Sequence, residues 1–332
     1  MAIAAIGQLC STASMAHNLE QCVRLISKAA TAGAKVLFLP EASDYIAGSF
    51  QESLSLAKPV SESPFVLGLQ SAAKEHHLAV NVGIHVPVPV RPSGPAANAV
   101  VPTVPQEATG ASGITSPATP TWELGQEQEP AQTKLFNRTI WINPDGSLLP
   151  HGSYDKLHLF DYGDLRESAH TQAGSALTPP FDTPVGRVGS LICFDLRFPE
   201  PSLRLGHPPA ALAARGFRPA HVIAYPSAFT VPTGRAHWEV LLRARAVESQ
   251  AWVVAAAQVG PHDGTGRTSY GHSMAIDPWG RVVCRLGGVA EDGTVEEGAV
   301  GALGMVDIDL DEWERVRRQM PLARRTDVYP EI

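Results

Sequence analysis

Short, uninterrupted apolar runs alternate with amphipathic helical segments along most of this 332-residue chain, and this alternation constrains the fold more than any other feature. Strands that are buried on both faces are continuous apolar runs, whereas a strand with one solvated face alternates polar and apolar residues. Buried strands separated by helices are typical of α/β layered folds. The runs that we predict as strands cover residues 35–41, 79–86, 136–142, 187–193, 222–225 and 252–257, after an opening strand within residues 1–10.

Two helices near the N terminus have recognisable boundaries. Asn18 can cap a helix whose apolar side chains recur at helical spacing, and Gly33 ends that helix. Ser63 followed by Pro64 predicts the start of a second helix, because proline is favoured in the first helical turn. Further predicted elements are a helix after residue 198, a helix over residues 236–250, and a hairpin over residues 273–283 that turns at residues 278–280.

The alternation stops between residues 87 and 130, where nine of the chain's 28 prolines occur among Ala, Thr, Ser and Gly residues. This composition, without hydrophobic periodicity, is typical of a surface insertion. Two interpretations of the insertion stay open, a passive loop and a functional lid, and composition alone favours the loop. Because predicted strands lie on both sides of the insertion, we predict a single domain over residues 1–332 with an insertion at about 87–133.

Charge and composition argue against several classes of partner. The net charge is −7, and no basic run of the kind that binds phosphates occurs, so nucleic acid is a poor candidate. The long uncharged run of residues 92–106 is broken by prolines, so we expect no membrane association. The start of the chain lacks the features of a secretory signal or a clear transit peptide. We therefore expect a cytoplasmic protein, although a mitochondrial pool stays open.

The cysteines and histidines do not form a metal-binding pattern. The four cysteines are scattered without a Cys-x-x-Cys pair, which is typical of reduced thiols in a cytosolic protein. The pair His76 and His77 and the nearby His85 lack a third ligand at zinc-site spacing. The sequence also contains no phosphate-cradling glycine motif. We therefore predict no metal and no cofactor.

Cys193 is a candidate nucleophile because it ends an apolar strand and precedes a polar segment leading to a predicted helix. At such an elbow the side chain is exposed above the sheet, and the following backbone N–H groups face an oxyanion. A thiol needs a base or a nearby cation to attack at neutral pH. The alternative is a small, buried hydrophobic residue, which is how free cysteine often behaves.

Glu41 and Lys156 could supply the base and the cation. Glu41 follows an apolar strand, and we expect desolvation to raise its pKa so that it can accept the proton of a thiol. The Lys156 ammonium could stabilise an oxyanion. A surface glutamate and a solvated lysine are the alternatives. His158 could pair with a cysteine, but a histidine of the core or rim fits its context better.

Three segments of the chain resemble the three signature blocks of the nitrilase (carbon–nitrogen hydrolase) superfamily, in the same order. They are residues 38–42 (FLPEA), 154–161 (YDKLHLFD) and 191–200 (LICFDLRFPE), and the resemblance covers residues 3–310 apart from the insertion. It implies that Glu41 is the general base, Lys156 the oxyanion-stabilising residue and Cys193 the nucleophile, with Glu167 as a second glutamate beside the cysteine. It also implies an α-β-β-α sandwich, usually assembled as a homodimer through helices.

Within the superfamily, further segments resemble the branch of deaminated-glutathione amidases. They are residues 225–230 (YPSAFT), 234–246, 254–258 (VAAAQ) and 270–280. This resemblance implies an amidohydrolase that cleaves deaminated glutathione, or a similar small ω-amide acid, through a cysteine thioester. An ω-amidase acting on α-ketoglutaramate-like substrates is one alternative. A catalytically idle dimeric scaffold is another, which the three intact catalytic residues argue against.

An acidic amide substrate requires a cationic group in the pocket. Arg197, just past the Cys193 elbow, is our candidate, although a structural salt bridge with Asp195 or Glu200 is equally open. The extra segment at residues 206–219 could reshape the pocket entrance. The other residues that we expect around the substrate are Tyr45, Phe194, Ser227 and Thr230.

Overall fold

The computed structural model describes residues 2–90, 132–162 and 165–329. Within these ranges, residues 2–88 and 134–329 form one compact unit, to which the fold and the site below belong. Most of the predicted insertion at about 87–133 lies outside the described residues, so the insertion and the single-domain assignment stay predictions.

Helices and short strands alternate along the described residues. The helices are α1 (Met15–Thr31), α2 (Phe50–Leu56), α3 (Pro64–His76), α4 (Glu167–His170), α5 (Pro199–Gly206), α6 (Ala210–Ala213), α7 (Val231–Ser249) and α8 (Leu310–Gln319). The strands are β1 (Ala2–Gly7), β2 (Val36–Phe38), β3 (Ala79–Val90), β4 (Gln132–Ile142), β5 (Tyr154–Asp155), β6 (Asp161–Tyr162), β7 (Leu165–Arg166), β8 (Phe181–Thr183), β9 (Gly186–Ser190), β10 (Val222–Ala224), β11 (Trp252–Ala255), β12 (Val259–His262), β13 (Arg267–Tyr270), β14 (Met274–Ile276), β15 (Val282–Arg285) and β16 (Leu303–Ile308).

Two six-stranded sheets form the centre of the fold. The first sheet has the strand order β16-β1-β2-β3-β4-β5, and the second has the order β15-β14-β11-β10-β9-β8. The parallel strands β1, β2 and β3 form the middle of the first sheet, and the parallel strands β9, β10 and β11 form the middle of the second. Antiparallel partners lie beside both sets: β16 pairs with β1 in the first sheet, and β14 and β8 pair with β11 and β9 in the second. Each sheet therefore has the parallel centre that the apolar runs predict.

Hydrophobic contacts place the two sheets face to face between helices. Phe38 and Trp141 of the first sheet share one buried cluster with Val222 and Trp252 of the second. Because successive side chains of a strand point to opposite faces, the alternate residues form two outer clusters. The outer face of the first sheet packs against α1 and α3, and the outer face of the second packs against α5 and α7. The layers are therefore α-β-β-α.

The first helix begins earlier than the sequence suggests. Its N-cap is Ser14, whose hydroxyl accepts a hydrogen bond from the His17 amide, and α1 begins at Met15. Asn18, which we predicted as the cap, lies inside the helix and is fully buried. Its amide group donates to the carbonyls of Thr12 and Asp44. The prediction was wrong because a buried Asn with tertiary partners resembles a cap in sequence.

Other boundaries follow the sequence more closely. Ser63 caps α3 as predicted, with Pro64 as the first helical residue. The helix predicted over residues 236–250 is α7, but it already begins at Val231, after Thr230 in the N-cap position. The short helix α2 was not predicted. The Gly-rich residues 260–266 include part of β12 and the turn that joins it to its antiparallel partner β13.

Candidate active site

Three predicted catalytic residues line one cavity of about 410 Å³. Glu41 follows β2 in the first sheet, Lys156 directly follows β5, and Cys193 follows β9 in the second sheet. Ligands of α/β sheets bind outside the carboxyl ends of parallel strands, where β2 and β9 place Glu41 and Cys193. The structure therefore brings together side chains that lie up to 152 positions apart in the sequence.

Lys156 bridges two carboxylates at the bottom of this cavity. Its Nζ lies 3.0 Å from Glu41 Oε1, and 3.0 and 2.9 Å from the two carboxylate oxygens of Glu167. The Lys156 side chain is only 3% exposed, so water screens these contacts weakly. Glu167, the first residue of α4, also accepts a hydrogen bond of 2.6 Å from the Phe160 amide. The lysine is therefore held in place by contacts from both carboxylates.

Asn137 joins the same group, although we did not predict it as a site residue. It lies on β4, and its Nδ2 donates to Glu41 Oε1 at 2.6 Å and to Glu167 Oε1 at 3.2 Å. The only signal in the sequence is an asparagine within a strand, where this residue type is depleted. Its partners are 96 and 30 positions away, so their proximity depends on the folded sheet.

Burial and charge set the protonation of the three catalytic candidates. Burial raises the pKa of the Cys193 thiol well above its usual value, and the Glu41 charge raises it further, against the opposing effects of Lys156 and the Ala228 backbone amide. Burial would lower the pKa of Lys156, but the charges of Glu167 and Glu41 outweigh it and raise that pKa well above its usual value.

Our expectation of a raised pKa for Glu41 was wrong in direction. Burial does raise it, but the charge of Lys156 and the hydrogen bonds from Cys193, Lys156 and Asn137 together lower the pKa below its usual value. The carboxylate therefore stays ionised at neutral pH. The group at rest consists of a neutral thiol, an ammonium ion and a carboxylate that is ready to accept a proton.

Cys193 occupies a strained backbone position. It begins the short 3₁₀ turn Cys193–Arg197 with φ +44°, in the left-handed region where non-glycine residues cost about 1–2 kcal/mol. Ala42, next to Glu41, has φ +53°. Such residues persist where the surrounding structure determines them, and they are common in active sites. Strain therefore occurs beside both the predicted base and the predicted nucleophile.

Asp195 ties the Cys193 turn to the segment that carries Lys156. This fully buried carboxylate accepts hydrogen bonds from the Ile192 amide at 3.0 Å and from the Tyr154 hydroxyl at 2.7 Å. It also accepts one from the His158 amide at 3.0 Å, and the His158 ring nitrogen Nδ1 lies 2.7 Å away. His158 thus serves the supporting network, as its sequence context suggested.

The predicted substrate-binding residues divide into two groups. Phe194, Arg197 and Thr230 line the cavity. Tyr45 and Ser227 are fully buried and are not among the described residues that line it, so they correct our prediction. Their hydroxyls donate to backbone carbonyls instead, that of Tyr45 to Ser53 and that of Ser227 to Tyr225.

Arg197 keeps its guanidinium close to the cavity. Its Nη2 lies 3.1 Å from His237 Nδ1, and its guanidinium carbon lies 5.7 Å from the centre of the Phe194 ring. Asp195, one of the two salt-bridge partners that we considered, is instead engaged with Tyr154 and His158. The cavity walls also carry Arg166 and Arg267. The walls are thus rich in cationic side chains.

His85 on the cavity wall is paired with a buried carboxylate. Its Nδ1 lies 3.0 Å from Asp44 Oδ1, and its backbone amide donates to Asp44 Oδ2 at 2.8 Å. Burial would lower the pKa of His85, but the Asp44 charge and hydrogen bond outweigh it, so the pKa is raised. The sequence placed His85 among candidate zinc ligands that lacked a partner, and the structure gives it a carboxylate partner.

The segment at residues 206–219 lies away from the cavity. The Gly206 carbonyl accepts a hydrogen bond from Arg317 on α8, and the Pro219 carbonyl accepts one from Arg187 on β9. Phe217 packs into the core formed by the second sheet and its helices. Across the described part of the chain, the cavity lining includes no residue of this segment. The described part of this segment therefore does not shape the cavity, which was the open question from the sequence.

A family model described as carbon-nitrogen hydrolase matches residues 3–93 and 114–318. The chain belongs to this family. A probable hydrolase, nit2, from Schizosaccharomyces pombe is 38% identical, and the match covers 100% of both chains. A deaminated glutathione amidase from Mus musculus is also 38% identical, over 98% of this chain and 84% of the mouse protein. An enzyme of the carbon–nitrogen hydrolase class acting on amides, as the sequence indicated, is confirmed.

Solved structures confirm the fold. The NitFhit protein of Caenorhabditis elegans superimposes with a TM-score of 0.73 and 31% identity, covering 99% of this chain and 67% of that one. Nit3 of Saccharomyces cerevisiae, a member of branch 10 of the nitrilase superfamily, has a TM-score of 0.67 and 25% identity, covering 98% and 96% of the two chains. The predicted α-β-β-α sandwich of the nitrilase type is therefore confirmed.

Within residues 2–90, 132–162 and 165–329, no three or more His, Cys, Asp and Glu side chains are grouped so that they could hold a metal ion. No helix in the same ranges is long and apolar enough to span a membrane. The expected homodimer, the cytoplasmic location and the lack of a metal, a cofactor or a nucleic-acid partner stay predictions.

Proposed function

We propose that the chain hydrolyses the amide bond of deaminated glutathione, or of a similar small ω-amide acid, through a thioester on Cys193. The observation that carries this proposal is the contact of Lys156 with Glu41 in the cavity that Cys193 also lines. The arginines of the cavity walls suit a substrate that carries carboxylates. The name of the mouse relative supports the choice of substrate.

The first half of the reaction forms the thioester. The Glu41 carboxylate accepts the proton of the Cys193 thiol while Sγ attacks the carbonyl carbon of the amide. The carbonyl electrons move onto oxygen, and the Lys156 ammonium stabilises the resulting oxyanion. The oxyanion then re-forms the carbonyl, the C–N bond breaks, and protonated Glu41 gives its proton to the departing nitrogen. An amine or ammonia leaves, and the acyl group stays on sulfur.

The second half repeats these roles with water. Glu41 accepts a proton from a water molecule, whose oxygen attacks the thioester carbon. Lys156 again stabilises the oxyanion. When the C–S bond breaks, the sulfur takes back the proton held by Glu41, and the carboxylic acid product leaves. The enzyme returns to its starting protonation state.

The pKa directions suit this sequence of steps. Glu41 has a lowered pKa and is therefore ionised at neutral pH, as a general base must be. Cys193 has a raised pKa, so the thiol keeps its proton until a carbonyl carbon is available. We expect transfer of the proton to accompany the attack, because a free thiolate in this buried site costs too much desolvation energy.

A side-by-side assay of three amides tests the substrate assignment. Purified protein is offered deaminated glutathione, α-ketoglutaramate and a neutral amide of similar length, and kcat/KM is compared. We expect the highest value for deaminated glutathione. Higher turnover of α-ketoglutaramate would favour an ω-amidase instead. Mass spectrometry of the quenched reaction should show the acyl group on Cys193, and an adduct on the half-buried Cys284 would contradict the proposed nucleophile.

A further inference from the structure

The predicted base and the predicted nucleophile belong to different sheets. Glu41 follows β2 in the first sheet, whereas Cys193 follows β9 in the second. Proton transfer between them requires a separation fixed to a fraction of an ångström. Contacts between the two sheets at this edge therefore bear directly on catalysis, and a polar contact gives more directional control than apolar packing.

Gln258 makes such a contact. It follows β11 of the second sheet, and its backbone amide donates to the Ser227 carbonyl at 2.9 Å. Its side-chain Nε2 donates to the Glu41 carbonyl at 2.9 Å and to the Ala42 carbonyl at 3.3 Å. The side chain of Gln258 is fully buried, so water does not compete for these bonds. A residue that directly follows the second sheet thus binds the backbone of Glu41, the predicted base.

Ser11 completes the contacts of this amide. The Gln258 Nε2 group donates to Ser11 Oγ at 2.7 Å, and Gln258 Oε1 accepts from the Ser11 amide at 2.9 Å. An amide nitrogen has two N–H groups for its three acceptors, so the long bond to Ala42 is shared. Both ends of the side chain are satisfied, and no rotation of the amide would satisfy the same partners. The amide is therefore fixed in orientation.

The backbone that Gln258 holds needs external support. Ala42 has φ +53°, a conformation that a residue with a Cβ rarely adopts. On one side, β3 supports the turn: the Gly83 amide donates to the Pro40 carbonyl at 3.0 Å, and the Ser43 amide donates to the Gly83 carbonyl at 2.9 Å. A Cβ at Gly83 would lie 2.6 Å from Glu41 Cα, so the fit is tight there. Gln258 supports the turn from the second sheet.

We propose that Gln258 is a positioning residue that sets the location of Glu41 relative to Cys193 through the Glu41 and Ala42 carbonyls. The proposal rests on the proposed function, because it takes Glu41 as the base. Gln258 acts on kcat, because it fixes the base and lies outside the cavity walls that meet the substrate. Without the Gln258 amide, the second sheet no longer holds the Glu41 and Ala42 carbonyls, so the position of Glu41 becomes less fixed. Substrate binding stays nearly unchanged.

Gln8 offers a matched control within the same chain. It is also a fully buried glutamine with four side-chain hydrogen bonds. Its Nε2 donates to the Gly287 and Ala299 carbonyls, both at 2.8 Å, and its Oε1 accepts from the amide and hydroxyl of Ser273. Removal of either amide costs the fold a similar set of bonds, but only Gln258 contacts the Glu41 turn.

The test compares Q258M with Q8M, since methionine keeps the volume of glutamine and removes its hydrogen bonds. We expect both variants to lose thermal stability, but only Q258M to lose kcat, by about 100-fold, with KM within about threefold of the wild type. If Q258M does not fold, Q258N is measured in the same way, because it withdraws the amide by one methylene but keeps its polarity.

Two results would overturn the positioning role. One is a Q258M or Q258N variant whose kcat stays within about threefold of the wild type. The other is an equal loss of kcat in Q8M, which would make the effect a general cost of removing a buried amide. C193A, assayed in parallel, separates this proposal from the proposed function: an active C193A removes the thioester mechanism, whereas an inactive C193A with an active Q258M removes only the role of Gln258.

Discussion

The floor and the walls of the cavity differ in burial. The floor consists of Glu41, Lys156 and Cys193, and the walls carry Arg166, Arg197 and Arg267. On the floor, Glu41, Lys156 and Cys193 are 5%, 2% and 9% exposed, and the charged atoms have partners at 3.0 Å or less. On the walls, the Arg166 and Arg267 side chains are exposed. A buried, paired group holds one geometry, whereas an exposed arginine can adapt to its ligand. The difference indicates that the floor fixes the reaction and the walls select the substrate.

The largest effect is expected from the nucleophile on the floor. Substitution Cys193→Ala removes the atom that bonds to the substrate, so turnover should fall by at least about 10⁴-fold. The unfolding midpoint should change little, because the substitution removes one sulfur atom from a strained turn. Turnover and thermal unfolding are measured together, with Cys284→Ala as the control that should keep full activity. An active, folded Cys193→Ala protein would contradict the thioester mechanism.

Lys156→Met should affect both catalysis and folding, which distinguishes it from the nucleophile variant. Loss of the ammonium removes an oxyanion donor, and kcat should fall by about 100- to 1,000-fold. It also leaves the Glu41 and Glu167 carboxylates without their cation, which should cost roughly 3–5 kcal/mol of unfolding free energy. Denaturant unfolding checks the second effect.

Lys134 donates to the Ser168 carbonyl in an exposed hydrogen bond and provides the control for Lys156→Met. Lys134→Met should leave kcat unchanged and alter stability by less than about 1 kcal/mol, because exposed polar contacts contribute little. If Lys156→Met were as stable as Lys134→Met, the bridging role of Lys156 on the floor would be wrong.

The parts of the site that depend on local sequence were predictable. Cys193 stands at the end of an apolar run before a polar segment, and Glu41 at the exit of another, so strand ends alone pointed to both. Apolar runs likewise predicted most central strands, because burial on both faces leaves a continuous pattern. The roles of these residues came from the resemblance of three short blocks, which local patterns could not supply.

The parts that depend on distant partners were not predictable. The direction of the Glu41 pKa shift was wrong because burial can be inferred locally, whereas the compensating Lys156 lies 115 positions away. Tyr45 was expected at the substrate, but its hydroxyl donates to the Ser53 carbonyl of α2, a helix that we did not predict. Asn137 and Gln258 contact Glu41 from positions 96 and 217 residues away, so their roles were visible only in the folded chain.

Arg197→Ala tests the selective role of the walls. The guanidinium should bind a substrate carboxylate, so its loss should raise KM for deaminated glutathione by about 10-fold and change KM for a neutral amide by less than about twofold. The kcat values should stay close to those of the wild type, because the floor is untouched. Arg24→Ala, at an exposed helix position, is the control. An equal rise in KM for both amides would remove Arg197 from carboxylate recognition.

The smallest effect concerns acid sensitivity outside the cavity. Burial and the charge of Arg187 lower the pKa of His221 to about 4, and its Nδ1 accepts a hydrogen bond of 3.0 Å from the Arg187 amide. The unfolded chain, with a histidine pKa of about 6.5, therefore binds a proton that the folded chain rejects. Stability from this group is complete above pH 6.5 and declines as the pH falls toward 4.

The Glu41 carboxylate on the floor behaves differently in this range, since its pKa is lowered and it stays ionised down to more acidic pH. We therefore expect His221→Asn, whose side-chain oxygen can accept the same amide but does not titrate, to lose less unfolding free energy than the wild type between pH 7.5 and pH 5. Urea unfolding at both pH values measures the difference in unfolding free energy between the variant and the wild type. A difference that is the same at both pH values would show that His221 takes up its proton equally in the folded and unfolded chains. Acid sensitivity in this range would then have to come from the other histidines with a lowered pKa, His207 and His262.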